Sequence, residues 1–101
     1  MRIAFVSCGS TRILPRAPVW QWIADAQPDH LVLLGDNIYL DVASGKIPQQ
    51  LTVNDFGNLL HALYGELIAD ARFSALVRAL PAGHVHAIWD DHDFLWNDAE
   101  G

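Results

Sequence analysis

Cysteine and basic residues are scarce in this sequence of 101 residues, and their scarcity excludes two classes of protein. A single cysteine, Cys8, excludes an internal disulfide framework. Six Lys and Arg face 12 Asp and Glu, which gives a net charge of -6. This balance leaves no basic track for a nucleic-acid backbone. We therefore expect neither a disulfide-stabilised scaffold nor a protein that binds duplex nucleic acid.

Long apolar stretches are also missing. No run approaches the roughly 20 apolar residues that a membrane helix needs. The N-terminus lacks the apolar region and cleavage site of a secretory signal. We expect no membrane span and a cytoplasmic location, with secretion as the alternative if a leader has been lost. Apolar side chains are plentiful, at 51% of residues against 18% charged, which is typical of one small globular domain.

Short apolar runs and helical spacings alternate along the chain. Three runs predict buried strands, and these are residues 3–7, 31–34 and 85–89. The second run has no polar alternation, as expected for a strand that is covered on both faces. Apolar residues three and four positions apart predict three helices, over residues 19–26, 56–67 and 73–80. Thr52 and Asp55 resemble a capping box at the start of the second helix.

The element order β-α-β-α-α-β predicts an α/β fold with a parallel sheet. Residues 10–18 and 41–51 are predicted to be loops. Three strands are few for a parallel sheet, which normally has more strands and helices on both faces. We therefore expect residues 1–101 to be the first part of a larger domain rather than a complete one.

Each predicted strand is followed by side chains that can bind a metal ion. Cys8 follows the first strand and Asp36 the second, while Asp90-Asp91-His92-Asp93 follows the third. Ligands of open α/β sheets collect at the carboxyl ends of the strands. Neighbouring strands place those ends roughly 5 to 10 Å apart. The three strand ends together therefore predict a metal centre.

Structural interpretations compete with the functional one at two of the three ends. A lone cysteine is usually a small buried hydrophobe, and an Asp after Gly is commonly part of a turn. Three carboxylates within four residues repel one another unless solvent, a cation or hydrogen bonds compensate. A functional role is therefore favoured for the residues after the third strand. The acidic end is pronounced, because residues 90–101 hold five of the 12 acidic residues and no Lys or Arg.

The histidines outside this segment show no spacing typical of metal ligands. His30 and His84 are interpreted as surface turn residues, and His86, which alternates with apolar neighbours, as a packed strand residue. His61 falls within a predicted helix. We therefore assign no ligand role to these four side chains.

Three motifs resemble the alkaline phosphatase D (PhoD-like) family of the calcineurin-like metallophosphoesterases. They are Phe-Val-Ser-Cys-Gly-Ser near the N-terminus, Leu-Gly-Asp-Asn-Ile-Tyr at 34–39 and Ile-Trp-Asp-Asp-His-Asp-Phe at 88–94, followed by Asn97-Asp98. The resemblance spans essentially the whole chain. It implies the N-terminal half of a layered α/β sandwich, with the remaining ligands supplied by a further segment.

The resemblance also implies two metals and a set of ligands for them. By position, Cys8, Asp36 and Tyr39 resemble the ligands of the family's iron, with Asp36 bridging to a second metal, typically calcium. Thiolate and phenolate ligands suit Fe3+, and carboxylates suit Ca2+. Asp91 takes the place of a metal-ligating Asn of the wider superfamily. Another divalent metal is the alternative to this pair of ions.

Roles for the remaining residues of the third motif follow from the same resemblance. His92 takes the place of the catalytic histidine, acting together with Asp91. Asp90 is interpreted either as a further calcium ligand or as a residue that supports one. Asp93 is expected to orient His92. Arg12 and Arg16 are either contacts to substrate phosphate or solvated loop charges.

The activity that the resemblance implies is hydrolysis of small phosphate esters, as a phosphomonoesterase or phosphodiesterase, by a metal-bridging hydroxide. The 101 residues hold about half of the family's ligands, so we expect little activity from them alone. The alternative is a truncated, non-catalytic remnant of the same fold that binds a metal or a partner. An unrelated α/β hydrolase or dehydrogenase is disfavoured, because neither G-x-S-x-G nor G-x-G-x-x-G occurs.

Overall fold

The computed structural model describes residues 1–9, 18–40, 45 and 50–94 of the chain. They form an α/β structure in which three parallel strands build one open sheet. The strands are β1 (Ile3–Val6), β2 (His30–Leu33) and β3 (Val85–Ala87). The helices are α1 (Val19–Asp25), α2 (Val53–Ala69), α3 (Ala71–Ala79) and the short α4 (Asp91–Phe94). The predicted order β-α-β-α-α-β is confirmed, with α4 added after β3.

Strand β2 lies at the centre of the sheet and pairs with both neighbours. Its register aligns Ile3 with His30 on one side and Leu31 with Val85 on the other. The sheet order is therefore β1-β2-β3. Because all three strands run in the same direction, their carboxyl ends lie along one edge of the sheet.

Helices α2 and α3 begin where the sequence provides caps. The side chain of Thr52 accepts a hydrogen bond from the backbone N–H of Asp55, and Asp55 accepts one from the N–H of Thr52. This confirms the predicted capping box. Asp70 ends α2 and caps α3, since its carboxylate accepts hydrogen bonds of 3.0 Å from the N–H groups of Arg72 and Phe73.

Helices cover one face of the sheet. Leu31 and Leu33 of β2 point toward this face and pack in a buried cluster, and the other members of the cluster are Trp20, Leu67, Phe73 and Leu76. The rings of Trp20 and Phe73 meet edge to face with centroids 4.9 Å apart. The core therefore joins α1, α2 and α3 to the central strand.

The opposite face of the sheet is more open than the sequence predicted. Ile3 is 54% exposed and Phe5 is 71% exposed, and both lie on this face. Val32, their neighbour on β2, is half-buried. The prediction that β2 is covered on both faces is therefore wrong, since only its Leu31 side is buried. An unbroken apolar run marks a strand without showing how many of its faces are covered.

Most residues of the two predicted loops, 10–18 and 41–51, lie outside the residues that the structure describes. Residues 10–17, 41–44, 46–49 and 95–101 lie outside the described residues, and these segments include Arg12, Arg16, Asn97 and Asp98. Among the helices that are described, none combines the length and the apolar character needed to cross a membrane.

Candidate metal centre

The carboxyl ends of the three strands bring together the residues that the sequence marked there. The chain after β1 meets the chain after β2, where the backbone N–H of Cys8 donates a 3.4 Å hydrogen bond to the carbonyl of Gly35. The chain after β2 meets the chain after β3 where the side-chain amide of Asn37 donates to the carbonyl of Ile88 at 3.2 Å. The site is therefore built on neighbouring loops at one edge of the sheet.

Asp36, Asp91 and His92 form the centre of this site. Each offers one possible ligand atom, and the three atoms lie within 4.8 Å of one another. Asp36 comes from the loop after β2, whereas the other two residues open helix α4. Two carboxylates and an imidazole at this spacing are a donor set that transition metals and harder cations both accept.

The carboxylate of Asp36 is buried and incompletely hydrogen-bonded. Asp36 is only 8% exposed. Its Oδ2 accepts a 3.5 Å hydrogen bond from the thiol of Cys8. Its Oδ1 has no hydrogen-bond partner among the described residues. A buried acceptor without a partner is costly. A bound cation at Oδ1 would remove this cost, so the residues present fit a metal ion.

Burial also changes the ionisation of Asp36. Desolvation raises the pKa of its carboxyl, while the Cys8 hydrogen bond and the nearby His92 act in the opposite direction. The charged form of Asp36 is thus held at a position that disfavours it. A cation bound at Asp36 would supply the compensation that the protein groups only partly provide.

The backbone at the two strand ends is strained. Cys8 has a φ of 56° and Asp36 a φ of 51°, both in the left-handed region that most side chains avoid. Each costs about 1 to 2 kcal/mol relative to an ordinary conformation. The strain aims the two side chains at each other, as the 3.5 Å contact between them shows. Strained residues of this kind cluster at functional sites.

Gly35 lets the loop after β2 approach the segment after β3. Its φ is 98°, and a Cβ at this position would lie 2.6 Å from the Cβ of Asp90 and 2.7 Å from its backbone nitrogen. No side chain fits there. The absence of one therefore sets the distance between Asp36 and the Asp91-His92 pair.

Tyr39 and Cys8 lie at the margin of the centre. The ring of Tyr39 packs against the ring of His92, with centroids 4.6 Å apart and planes inclined by 36°. Burial raises the pKa of Tyr39 well above its usual range, and the neighbouring Cys8 thiol raises it further. Tyr39 is accordingly a neutral phenol at pH 7. The phenolate ligand that the family resemblance implies requires a cation close enough to reverse this shift.

Asp90 and Asp93 occupy different positions from those of the central group. Asp90 is exposed, and its Oδ1 accepts the backbone N–H of Asp91 at 2.9 Å. Asp93 is 2% exposed. Its Oδ1 accepts the N–H groups of Asn37 and Ile38 at 2.6 and 3.0 Å, and its Oδ2 accepts that of Asp90 at 3.0 Å. These bonds join the loop after β2 to the segment after β3.

A second cluster of titratable residues was not expected from the sequence. His30, His84 and His86 converge on the open side of the sheet, away from the metal centre. His86 is exposed rather than packed as predicted. The signal was present in the spacing His84-x-His86, because alternate residues of a strand share a face. The neighbour, His30, becomes apparent only once the strand register is known.

Comparison of the chain with family models, with curated proteins and with solved structures found no match of any of the three kinds. The assignment of a function therefore depends on the geometry of the site and on the short motifs that form it.

Proposed function

We propose that this chain belongs to a metal-dependent phosphoesterase that is similar to the PhoD-like family. The observation that carries the proposal is the buried, unpartnered Oδ1 of Asp36 beside Asp91 and His92. All three residues belong to motifs that resemble that family. The resemblance implies further ligands besides these residues.

Asp36 and Asp91 would hold the cations, with Cys8 and Tyr39 at the margin as further candidates and His92 beside them. When bound, the ions would supply Lewis-acid activation of water and neutralise charge on the phosphoryl group. Iron and calcium are the ions that the resemblance implies. The mixture of thiol, phenol and carboxylate groups supports a pairing of a softer with a harder cation.

The protein's own groups divide the remaining work. His92 would donate a proton from its ring to the departing ester oxygen, or donate a hydrogen bond to a phosphoryl oxygen. Tyr39 packs on the His92 ring and restricts its orientation. Asp91 accepts the backbone N–H of His92 at 2.9 Å through its Oδ1, which links the positions of the two residues. Asp93 fixes the loops that carry them.

Substitutions at neighbouring positions separate a ligand from a proton donor. In the full-length protein, Asp91→Ala should lower metal content and turnover together, because removing a carboxylate ligand weakens the site itself. His92→Ala should keep most of the metal and lose turnover by roughly 10²- to 10⁴-fold if His92 is a general acid. The loss should be smaller on activated aryl esters than on alkyl esters, since a good leaving group needs no proton.

Asp25→Asn, which changes an exposed carboxylate on α1, is the matched control and should leave both metal content and turnover unchanged. Equal losses on the two ester types with metal retained would reject the acid role of His92. Metal content that stays normal in Asp91→Ala would remove Asp91 from the ligand set. Metal binding without turnover in the full-length protein would favour the alternative, a non-catalytic metal-binding remnant.

A further inference from the structure

Three histidines share the open face of the sheet at the end opposite the metal centre. His30 begins β2, His86 lies within β3 and His84 directly precedes β3. The register pairs Val32 with His86, and the N–H of Leu31 donates to the carbonyl of His84 at 2.9 Å. Because alternate residues of a strand point to the same side, the three imidazoles lie next to one another.

The closest approach within this histidine cluster joins two ring nitrogens. Nδ1 of His30 lies 3.3 Å from Nε2 of His86. Two nitrogen ligands bound tetrahedrally to one zinc ion, each about 2.0 to 2.1 Å from it, are about 3.3 to 3.4 Å apart. The two rings therefore already have the separation that a shared ion requires.

His84 holds the ring of His30 in place. The two rings stack with centroids 4.2 Å apart and planes inclined by 6°. Nδ1 of His84 lies 2.8 Å from the carbonyl oxygen of Asp29. Because a carbonyl only accepts, this nitrogen carries the proton and the ring is fixed. The anchored ring of His84 stacks on that of His30 and so restricts the orientation of His30.

We propose that His30 and His86 bind a divalent cation of the borderline class, such as Zn2+, Ni2+ or Cu2+, at the open face of the sheet. Imidazole nitrogen is the ligand that these ions prefer among the side chains present there. In the ion-free state one ring donates its N–H to the other. Binding moves that proton to the far nitrogen of the same ring. Both facing nitrogens then become ligands while the two rings stay neutral.

The proposed site is separate from the Asp36 centre. His30 is the first residue of β2, whereas Asp36 lies three positions beyond Leu33, the last residue of the strand. The four residues of the strand span roughly 13 Å. His86 is exposed and His30 is partly exposed, so an ion can enter from solvent. The two sites can therefore be observed independently.

Zn2+ titration followed by imidazole 15N NMR of the five histidines tests this proposal. The 15N resonances of the His30 and His86 rings should shift together at the same Zn2+ concentration. His61, on the exposed side of α2, should not shift. His92 reports the Asp36 centre separately, so a failure at one site is not read as a failure at the other.

Single substitutions give the second measurement. His30→Gln should raise the Zn2+ concentration that half-saturates His86 by about 10-fold or more, because one of two pre-positioned ligands is lost. His86→Gln should have the same effect on His30, and His61→Gln should change neither. Unchanged saturation of the remaining histidine would overturn the proposal. So would the absence of any Zn2+-induced shift at His30 and His86 in the unsubstituted protein, whose fold is not in question.

Discussion

The buried carboxylate of Asp93 accepts a 2.6 Å hydrogen bond from the backbone N–H of Asn37, which lies 56 positions earlier in the chain. The same carboxylate also accepts the N–H groups of Ile38 and Asp90. One side chain therefore joins the loop after β2 to the segment after β3. Asp36 belongs to the first of these segments, and Asp91 and His92 belong to the second.

Removing this link should destabilise the protein and separate Asp36 from Asp91 and His92. Asp93→Ala leaves three backbone N–H groups without their acceptor, and we expect a loss of roughly 3 kcal/mol in the free energy of unfolding. Asp93→Asn keeps one oxygen acceptor and should lose roughly 1 to 2 kcal/mol. Urea denaturation measures both values, with Asp25→Asn as the control. A midpoint for Asp93→Ala equal to that of the unsubstituted chain would contradict this role.

A methyl group at Gly35 should be far more harmful than one elsewhere. Gly35→Ala places a Cβ 2.6 Å from that of Asp90 at a φ of 98°, and we expect a cost of roughly 3 kcal/mol. The matched variant is Gly57→Ala, in α2, where nothing other than the neighbouring residues and backbone of the helix itself lies within 4 Å of the added Cβ. It should stabilise the helix by roughly 0.5 to 1 kcal/mol. Thermal unfolding of the two variants should therefore shift in opposite directions, and equal shifts would refute the close approach.

The ionisation of Asp36 should lower stability at neutral pH when no metal is bound. Burial raises the pKa of this carboxyl in the folded state, so the folded chain binds its proton more tightly than the unfolded chain does. The resulting stabilisation is complete below the ordinary carboxyl pKa of about 4 and is lost as pH rises through the raised value. Asp36→Asn should therefore unfold at a higher temperature than the unsubstituted chain at pH 7, in the presence of a chelator.

The difference between these two proteins should shrink as the pH falls below about 4, where Asp36 is protonated in both the folded and the unfolded chain. Asp25→Asn controls for the loss of one charge on an exposed surface. A lower unfolding temperature for Asp36→Asn at pH 7 in chelator would show that the ionised carboxylate is compensated by protein groups alone. That result would remove the main reason for placing a cation at Oδ1.

Local signals in the sequence predict the helices and strands, whereas they do not predict contacts between segments that are distant along the chain. Thr52 and Asp55 lie three residues apart, and their capping box could be identified directly. Asp36 was found because strand ends of a parallel sheet meet at one edge. The bonds of Asp93 to Asn37 and the meeting of His30 with His86 depend on register and loop path. Neither is encoded in a spacing along the chain.

The 101 residues alone should show no hydrolysis above a metal-only blank. The family resemblance implies further ligands besides Asp36 and Asp91, and without them the site would be incomplete. The measurement is steady-state release of p-nitrophenol from p-nitrophenyl phosphate by the purified chain of verified mass, with Fe3+ and Ca2+ added. The metal ions without protein serve as the control. Sustained turnover by this chain would show that the residues present are sufficient.

If the Asp36 centre works through bound metal, as we propose, removal of the metal from the full-length protein with a chelator should abolish hydrolysis. Hydrolysis of p-nitrophenyl phosphate should fall to the blank rate as elemental analysis shows the metal leaving, and it should return when the ions are restored. Asp36→Asn should resist this restoration, whereas Asp25→Asn should recover fully. A full rate that persists after the metal has been removed would show that hydrolysis does not depend on metal at the Asp36 centre.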